Sequence, residues 1–242
     1  MTWNLIKVIA TGSTGNSYLI EANPNERLLI ECGIPYKRIL EGLDYNISGI
    51  QGCLISHEHK DHCKAVDKII ESGINCYMSR GTKEGINFKT NILYRVKTVE
   101  NLKVFNIGNF RITPFKAQHD TNEPFGYLIY HKEIGSIAFL TDSYYCRYVF
   151  NNVNHILIEC NYLDEIVDDL PSYRKRVIKS HMSLNTCKET LKAWDLKETK
   201  DITLIHISGD NGSPERMQKE IQELTGKKVY IAKPNLIIKG KL

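Results

Sequence analysis

The 242-residue sequence contains no Cys-x-x-Cys pair, no apolar run near the ~20 residues a membrane span needs, and no linker-like stretch rich in Pro, Ser or Gly. Its seven cysteines (Cys32, Cys53, Cys63, Cys76, Cys146, Cys160 and Cys187) are odd in number and scattered, several of them inside apolar runs such as Cys53-Leu54-Ile55. That argues against a zinc ribbon or a disulfide framework and fits small buried hydrophobes in a reducing compartment. The opening Met1-Thr2-Trp3-Asn4-Leu5-Ile6-Lys7 lacks the basic start and apolar core of a signal peptide, so a cytoplasmic location without a membrane partner is expected. Strong charge bias is missing too. A net +4 leans toward anionic partners but is well short of a nucleic-acid-coating protein. With 42% hydrophobic and 25% charged residues, disorder and fibrous architectures are excluded, and one domain over 1–242 is the simplest account.

What is present is an interleaving of short β-rich runs with helical patterns. Strands are expected over 5–10, 17–22, 27–31 and 52–56, then over 109–117, 125–130, 136–140, 155–158 and 202–207. Glycines in Gly12-Ser13-Thr14-Gly15-Asn16 punctuate a hairpin-like turn. Val66, Ile69 and Ile70 recur at helical spacing and predict a helix from Asp61 to Ser72, with Gly73 past its end. Ser183 reads as the N-cap of a helix carrying Leu184, Cys187, Leu191 and Trp194, and Ser213-Pro214-Glu215 as the start of another. The alternation implies an α/β fold. The polar stretch 83–100 reads as a loop and hairpin.

The densest chemistry is His57-Glu58-His59-Lys60-Asp61-His62, four metal-ligand side chains in six positions of a chain with eight histidines. Alternate side chains of an extended segment share a face, so His57 and His59 can bind one ion, while Asp61 and His62, at the turn into a helix, can face a second. Glu58 and Lys60 then point away. Imidazoles and carboxylates without thiolates suit a catalytic zinc or manganese site with open positions. Two ions need more ligands, and isolated ones follow β-rich runs: His119, Asp142 and His206. A carboxylate such as Asp142 can bridge two cations. His181 precedes the helix that begins after Ser183, where a helix N-terminus offers a phosphate site. Glu159, flanked by apolar residues, needs a partner if buried, and a His181–Glu159 pair is a general-acid arrangement. The basic residues Arg174, Lys175, Arg176 and Lys179 read equally as a solvated face or a binding patch.

The pattern His57-x-His59-x-Asp61-His62, with His119, Asp142 and His206, resembles the metallo-β-lactamase fold over nearly the whole chain. So do 11–18, Leu29-Ile30-Glu31-Cys32-Gly33, Phe125-Gly126-Tyr127 and Thr141-Asp142-Ser143. The segment Ser180-His181-Met182-Ser183, with Glu159, is similar to motifs of ribonuclease Z-like phosphodiesterases. The resemblance implies a four-layer αββα sandwich with two divalent ions, zinc or manganese. One would be held by His57, His59 and His119, the other by Asp61, His62 and His206, with Asp142 between them. His181, Glu159 and Asp61 would serve catalysis. Glu31 departs from the usual Asp at its strand end and would sit behind the ligands. With no room for a β-CASP domain and no glycine-rich tRNA-binding arm, the resemblance points to a small substrate. It implies cyclic mononucleotides first, as in the anti-Pycsar enzymes, then nucleic acid as for a 5′-exonuclease, and last a thioester or lactone. A homodimer is implied as well.

Overall fold

Consecutive apolar residues, rather than alternating ones, mark strands that bury both faces. Leu28, Leu29 and Ile30 are all fully buried, as are Ile156, Leu157 and Ile158, so each of these strands must have a layer on either side. The computed structural model describes residues 4–169 and 178–240 and shows those layers. One seven-stranded sheet comprises β1 (Leu5–Ala10), β2 (Ser17–Asn23), β3 (Glu26–Ile30), β4 (Ile50–Leu54), β5 (Cys76–Met78) and β6 (Val96–Thr98), with β14 (Ile237–Lys239) beside β1. The second comprises β7 (Phe105–Ile107), β8 (Phe110–Lys116), β9 (Phe125–His131), β10 (Gly135–Leu140), β11 (His155–Glu159), β12 (Asp201–Ile205) and β13 (Lys228–Ile231), each paired with the next. In both sheets the early strands pair antiparallel and the later ones, β3 to β6 and β10 to β13, pair parallel.

Three apolar layers follow from the side-chain period of two. Ile20, Leu28, Ile30 and Leu54 of one sheet meet Ile112, Tyr127, Phe139 and Leu157 of the other. Leu19, Leu29 and Cys53 point outward onto α1 (Tyr36–Gly42) and α3 (Val66–Glu71), through Ile39, Val66, Ile69 and Ile70. On the far side Ile156, Ile158, Ile202 and Leu204 meet Leu184, Cys187 and Leu191 of α5 (Leu184–Ala193) and Met217 and Ile221 of α6 (Pro214–Thr225). The architecture is the expected αββα sandwich. All seven cysteines are buried and free. Among the described residues no helix is long and apolar enough to cross a membrane.

Two local expectations are corrected. The helix read from Asp61 to Ser72 is two short ones, α2 (Lys60–Cys63) and α3. An unbroken helix would bond the Ala65 amide to the Asp61 carbonyl. Instead the Asp61 carbonyl accepts from the Asn16 amide at 2.8 Å, and the Ala65 amide donates to the Cys32 carbonyl at 2.9 Å. The stretch 83–100 contains no hairpin: it includes the end of α4 (Arg80–Gly85), a 3₁₀ turn at Leu93–Arg95 and the parallel edge strand β6. The residues Arg174, Lys175 and Arg176 lie outside the described residues.

Candidate metal centre

Carboxyl ends of parallel strands converge where a sheet stops, which makes that edge a natural place for a site. Here Glu31 follows β3, Ser56 and His57 follow β4, Asp142 follows β10, Glu159 ends β11 and His206 follows β12. The glycine-containing motifs hold the turn that completes the set. A Cβ on Gly33 would lie 1.6 Å from the Asp61 carbonyl oxygen, so only glycine lets these two segments touch. Asn16 bonds the Gly12 carbonyl and the Asp61 carbonyl through Nδ2, each at 3.2 Å, and accepts from the Gly12 amide. On the other sheet Tyr127 donates to the Ile55 carbonyl at 2.6 Å and the Phe125 amide to the Ser56 carbonyl at 3.0 Å, which pins the start of the His57 segment.

Three overlapping groups of potential ligands result among the described residues: the two expected sets and a third of Asp142, Glu159, His181 and His206. Ligand atoms of His57, His59 and His119 lie within 4.8 Å of one another, and so do those of Asp61, His62, Asp142 and His206. Asp142 sits between the sets: its Oδ2 is 3.9 Å from His57 Nε2, 3.8 Å from His119 Nε2 and 3.4 Å from His62 Nε2, and its Oδ1 is 3.6 Å from His206 Nε2. These gaps are too long for good hydrogen bonds. Two ligands each about 2.1 Å from one tetrahedral ion stand roughly 3.4 Å apart, so the spacing fits atoms arranged around cations.

The nitrogens facing away from the cluster fit as well. A metal-binding imidazole ordinarily fixes its second nitrogen on an acceptor. His57 Nδ1 meets the Ser56 hydroxyl at 2.8 Å, His119 Nδ1 the Ser180 carbonyl at 3.0 Å, His62 Nδ1 faces Glu31 at 3.4 Å and His206 Nδ1 faces Glu159 at 3.4 Å. The inward Nε2 atoms of His57 and His206 are buried with no hydrogen-bond partner. An unmet buried nitrogen is costly unless something binds it. Glu31, Asp142 and His206 all have left-handed backbones, with φ of 63°, 40° and 52°. Each such non-glycine residue costs roughly 1–3 kcal/mol, strain of the kind concentrated at functional sites.

The electrostatics complement this. Burial disfavours the Asp142 carboxylate, but the charges of His206, His62 and His57 outweigh it and hold its pKa well below the ordinary range. Burial also works against charged His206, yet Asp142, Asp61 and Glu159 together push it up to about 10. His62 is raised in the same way by Asp142 and Glu31, whereas burial and the neighbouring His62 depress His57. The metal-free cluster therefore holds protons on His62 and His206, and a cation must displace them. In a chelator-buffered titration, apparent metal affinity should rise as pH rises, by up to about tenfold per pH unit for each proton displaced. An affinity that is flat or falls between about pH 6 and pH 8 contradicts proton-for-metal exchange.

Beside the cluster, His181 Nδ1 donates to Glu159 Oε1 at 2.6 Å and lies 3.9 Å from Asp142 Oδ2. Glu159 is fully buried, its Oε2 accepting from the Ser143 and Met182 amides at 2.8 and 3.1 Å. Burial opposes the charged form of His181, but Glu159 and then Asp142 outweigh it and raise the pKa. The nine residues His57, His59, Asp61, His62, His119, Asp142, Glu159, His181 and His206 thus meet at one edge, and Glu58 turns away to accept from the Asn122 amide. The phosphate site expected at the α5 N-terminus is not available. Its first amides are taken by the Tyr162 carbonyl, the Asp164 carboxylate and the Ser183 hydroxyl. Asn161 was missed: its Nδ2 bonds the His206 carbonyl at 2.7 Å and fixes that strained residue. The one signal was its place two residues after Glu159.

A family model described as the beta-lactamase superfamily domain matches residues 26–207. The exodeoxyribonuclease YycJ of Bacillus anthracis is 27% identical over 92% of this chain and 89% of its own length. The anti-Pycsar protein Apyc1 of Paenibacillus xerothermodurans is 38% identical, but over 26% of this chain and 27% of its own. The metallo-β-lactamase fold protein YhfI of Bacillus subtilis superposes with a TM-score of 0.73 at 18% identity, covering 98% of this chain and 99% of that one. With its fold, its His/Asp clusters and the match over most of its length, the chain belongs to the beta-lactamase superfamily and is a metal-dependent hydrolase of that fold.

Proposed function

We propose that the protein is a phosphodiesterase that hydrolyses DNA at a two-metal site. The observation that carries the reaction type is the His181–Glu159 pair, an imidazole held by a buried carboxylate against the ligand cluster and 3.9 Å from Asp142. With Nδ1–H committed to Glu159, the second nitrogen of His181 carries a proton only in the imidazolium form, and the raised pKa keeps that form present near neutrality. This arrangement gives a proton to a poor alkoxide leaving group, which phosphodiester cleavage needs and a thioester, expelling a thiolate, does not. Two divalent cations held by His57, His59, His119, Asp61, His62, His206 and Asp142 would acidify water and polarise the phosphoryl oxygens. The buried protein shell supplies positioning, since Ser56, Ser180 and Glu159 fix the rings of His57, His119 and His181.

A DNA substrate is favoured because the similarity to an exodeoxyribonuclease extends over 92% of the chain. The stretch resembling an anti-Pycsar protein covers only 26% of it and supports 3′,5′-cyclic mononucleotides as the second reading. One panel of substrates separates them: 5′-phosphorylated single- and double-stranded DNA, cyclic mononucleotides and a lactone, each with zinc or manganese supplied. Release of mononucleotides from DNA, at a rate well above cyclic nucleotide opening, is the expected result. Turnover of the lactone alone would overturn the phosphodiesterase reading, and turnover of cyclic nucleotides alone would replace DNA with the second reading.

A further inference from the structure

Immediately after Asp142 the chain carries Tyr144, Tyr145 and Arg147, all exposed, on a segment that its function so far leaves unused. Tyr144 and Tyr145 are 48% and 52% exposed, and large aromatic rings in water beside a reaction centre need a reason. The segment is firmly mounted. Ser143 donates its amide to Glu159 and its hydroxyl to the Tyr145 carbonyl at 2.8 Å, and the Tyr144 amide donates to the Gln118 carbonyl at 3.0 Å, one residue before His119. Arg147 reaches the Gln118 side chain at 3.2 Å and, among the described residues, meets no carboxylate within ion-pairing distance.

Behind these residues lies a cavity of about 410 Å³ between the segment and α5, with Tyr145, Arg147 and Tyr148 on one wall and Asn185 and Thr186 on the other. One wall begins three residues after Asp142 and the other four residues after His181, and the cavity runs along α5 to Trp194. Glu189 also lines the cavity and is ion-paired to Lys192 at 2.7 Å. The volume falls within the roughly 300–1,000 Å³ of small-molecule sites.

We propose that this cavity holds a nucleotide of the substrate strand next to the scissile phosphate, with its base stacked on Tyr145 and its phosphate on Arg147. Aromatic faces with an exposed guanidinium form the usual platform for single strands, tolerant of sequence because every base has a π face. The inference rests on the polynucleotide reading above. It assigns Tyr145 and Arg147 to substrate positioning rather than to the chemistry.

The test compares a short single-stranded oligodeoxynucleotide with bis(p-nitrophenyl) phosphate, which has no neighbouring nucleotide, in wild type and in Tyr145→Ala, Tyr145→Phe and Arg147→Ala. Both alanine variants should raise KM for the oligonucleotide about tenfold more than for the small diester, while Tyr145→Phe stays close to wild type. Arg147→Ala should also flatten the salt dependence of oligonucleotide binding by about 0.7 unit of log–log slope, the single-strand value for one phosphate contact. If wild type degrades the oligonucleotide and both alanine variants match it, or if the two substrates suffer equally, the platform is overturned and the nuclease reading stands. If wild type cleaves the small diester but no oligonucleotide, the nuclease reading itself falls.

Discussion

Replacing His181 by alanine should leave bound metal unchanged and lower kcat on DNA about 10²- to 10⁴-fold, with KM little affected. His181 meets Glu159 at 2.6 Å and Asp142 at 3.9 Å, and its ring stacks on His206 and leans on His119, with centroids 5.3 and 5.2 Å away. Its loss removes a proton donor without opening either proposed ligand set. A leaving-group series tests the assignment more sharply than the rate alone. p-Nitrophenolate departs without being protonated, so the same variant should lose far less activity on bis(p-nitrophenyl) phosphate, about tenfold or less. Glu159→Gln keeps an acceptor for the Ser143 and Met182 amides but removes the charge that raises His181. The alkaline limb of its pH–rate profile should therefore move to lower pH. Equal losses on both diesters, or loss of metal from the alanine variant, would show that His181 is a ligand rather than an acid.

Asp142→Asn should reduce metal content sharply and activity by at least about 10³-fold, the larger of the two effects on binding. Asparagine is the substitution that isolates charge, since it keeps the shape and tolerates the left-handed φ of 40°. The carboxylate is buried to 2% exposure and is placed between both ligand sets, so its loss leaves five histidines with one partly exposed acid, Asp61, among the proposed ligands. The folded state should survive this, because the αββα core of Ile20, Leu28, Tyr127 and Phe139 does not depend on it. Near-UV circular dichroism would report a retained fold; metal analysis and DNA turnover would report the loss. Retention of full metal and more than about a tenth of the rate would remove Asp142 from the bridging role.

The parts of this design that were legible in the sequence are those built from local pattern. Leu28-Leu29-Ile30 and Ile156-Leu157-Ile158 announce strands buried on both faces, and His57 to His62 is too dense in ligands to be a surface loop. His119, Asp142 and His206 were legible as candidates because each follows a β-rich run, though only the two sheets show that the runs end at one edge. What stayed hidden is long-range. The break between α2 and α3 depends on Asn16 capturing the Asp61 carbonyl from 45 residues away, which no window around residue 61 contains. The short strands β5, β6, β7, β13 and β14 carry three or four residues each and exist only because a neighbour completes their hydrogen bonds. The α5 N-terminus misled for the same reason: Asp164 takes its second amide, and nothing next to Ser183 in the chain predicts that.

Glu31 shows how a departure in one residue is absorbed by the fold. Its longer side chain is wholly buried, accepts the Ser56 amide at 3.0 Å and stands 3.4 Å from His62 Nδ1, so it holds the His57 segment and places a negative charge beside His62. Burial raises its pKa, with His62 and Ser56 acting in the opposite direction.

The central claim is a pair of cations bridged by Asp142, and anomalous diffraction from crystals grown with zinc tests it directly. Two peaks per chain are expected, one within about 2.0–2.2 Å of nitrogens from His57, His59 and His119, the other at similar distance from Asp61, His62 and His206, with Asp142 reaching both. A single peak at full occupancy, or a peak coordinated by His181 and Glu159, would contradict it.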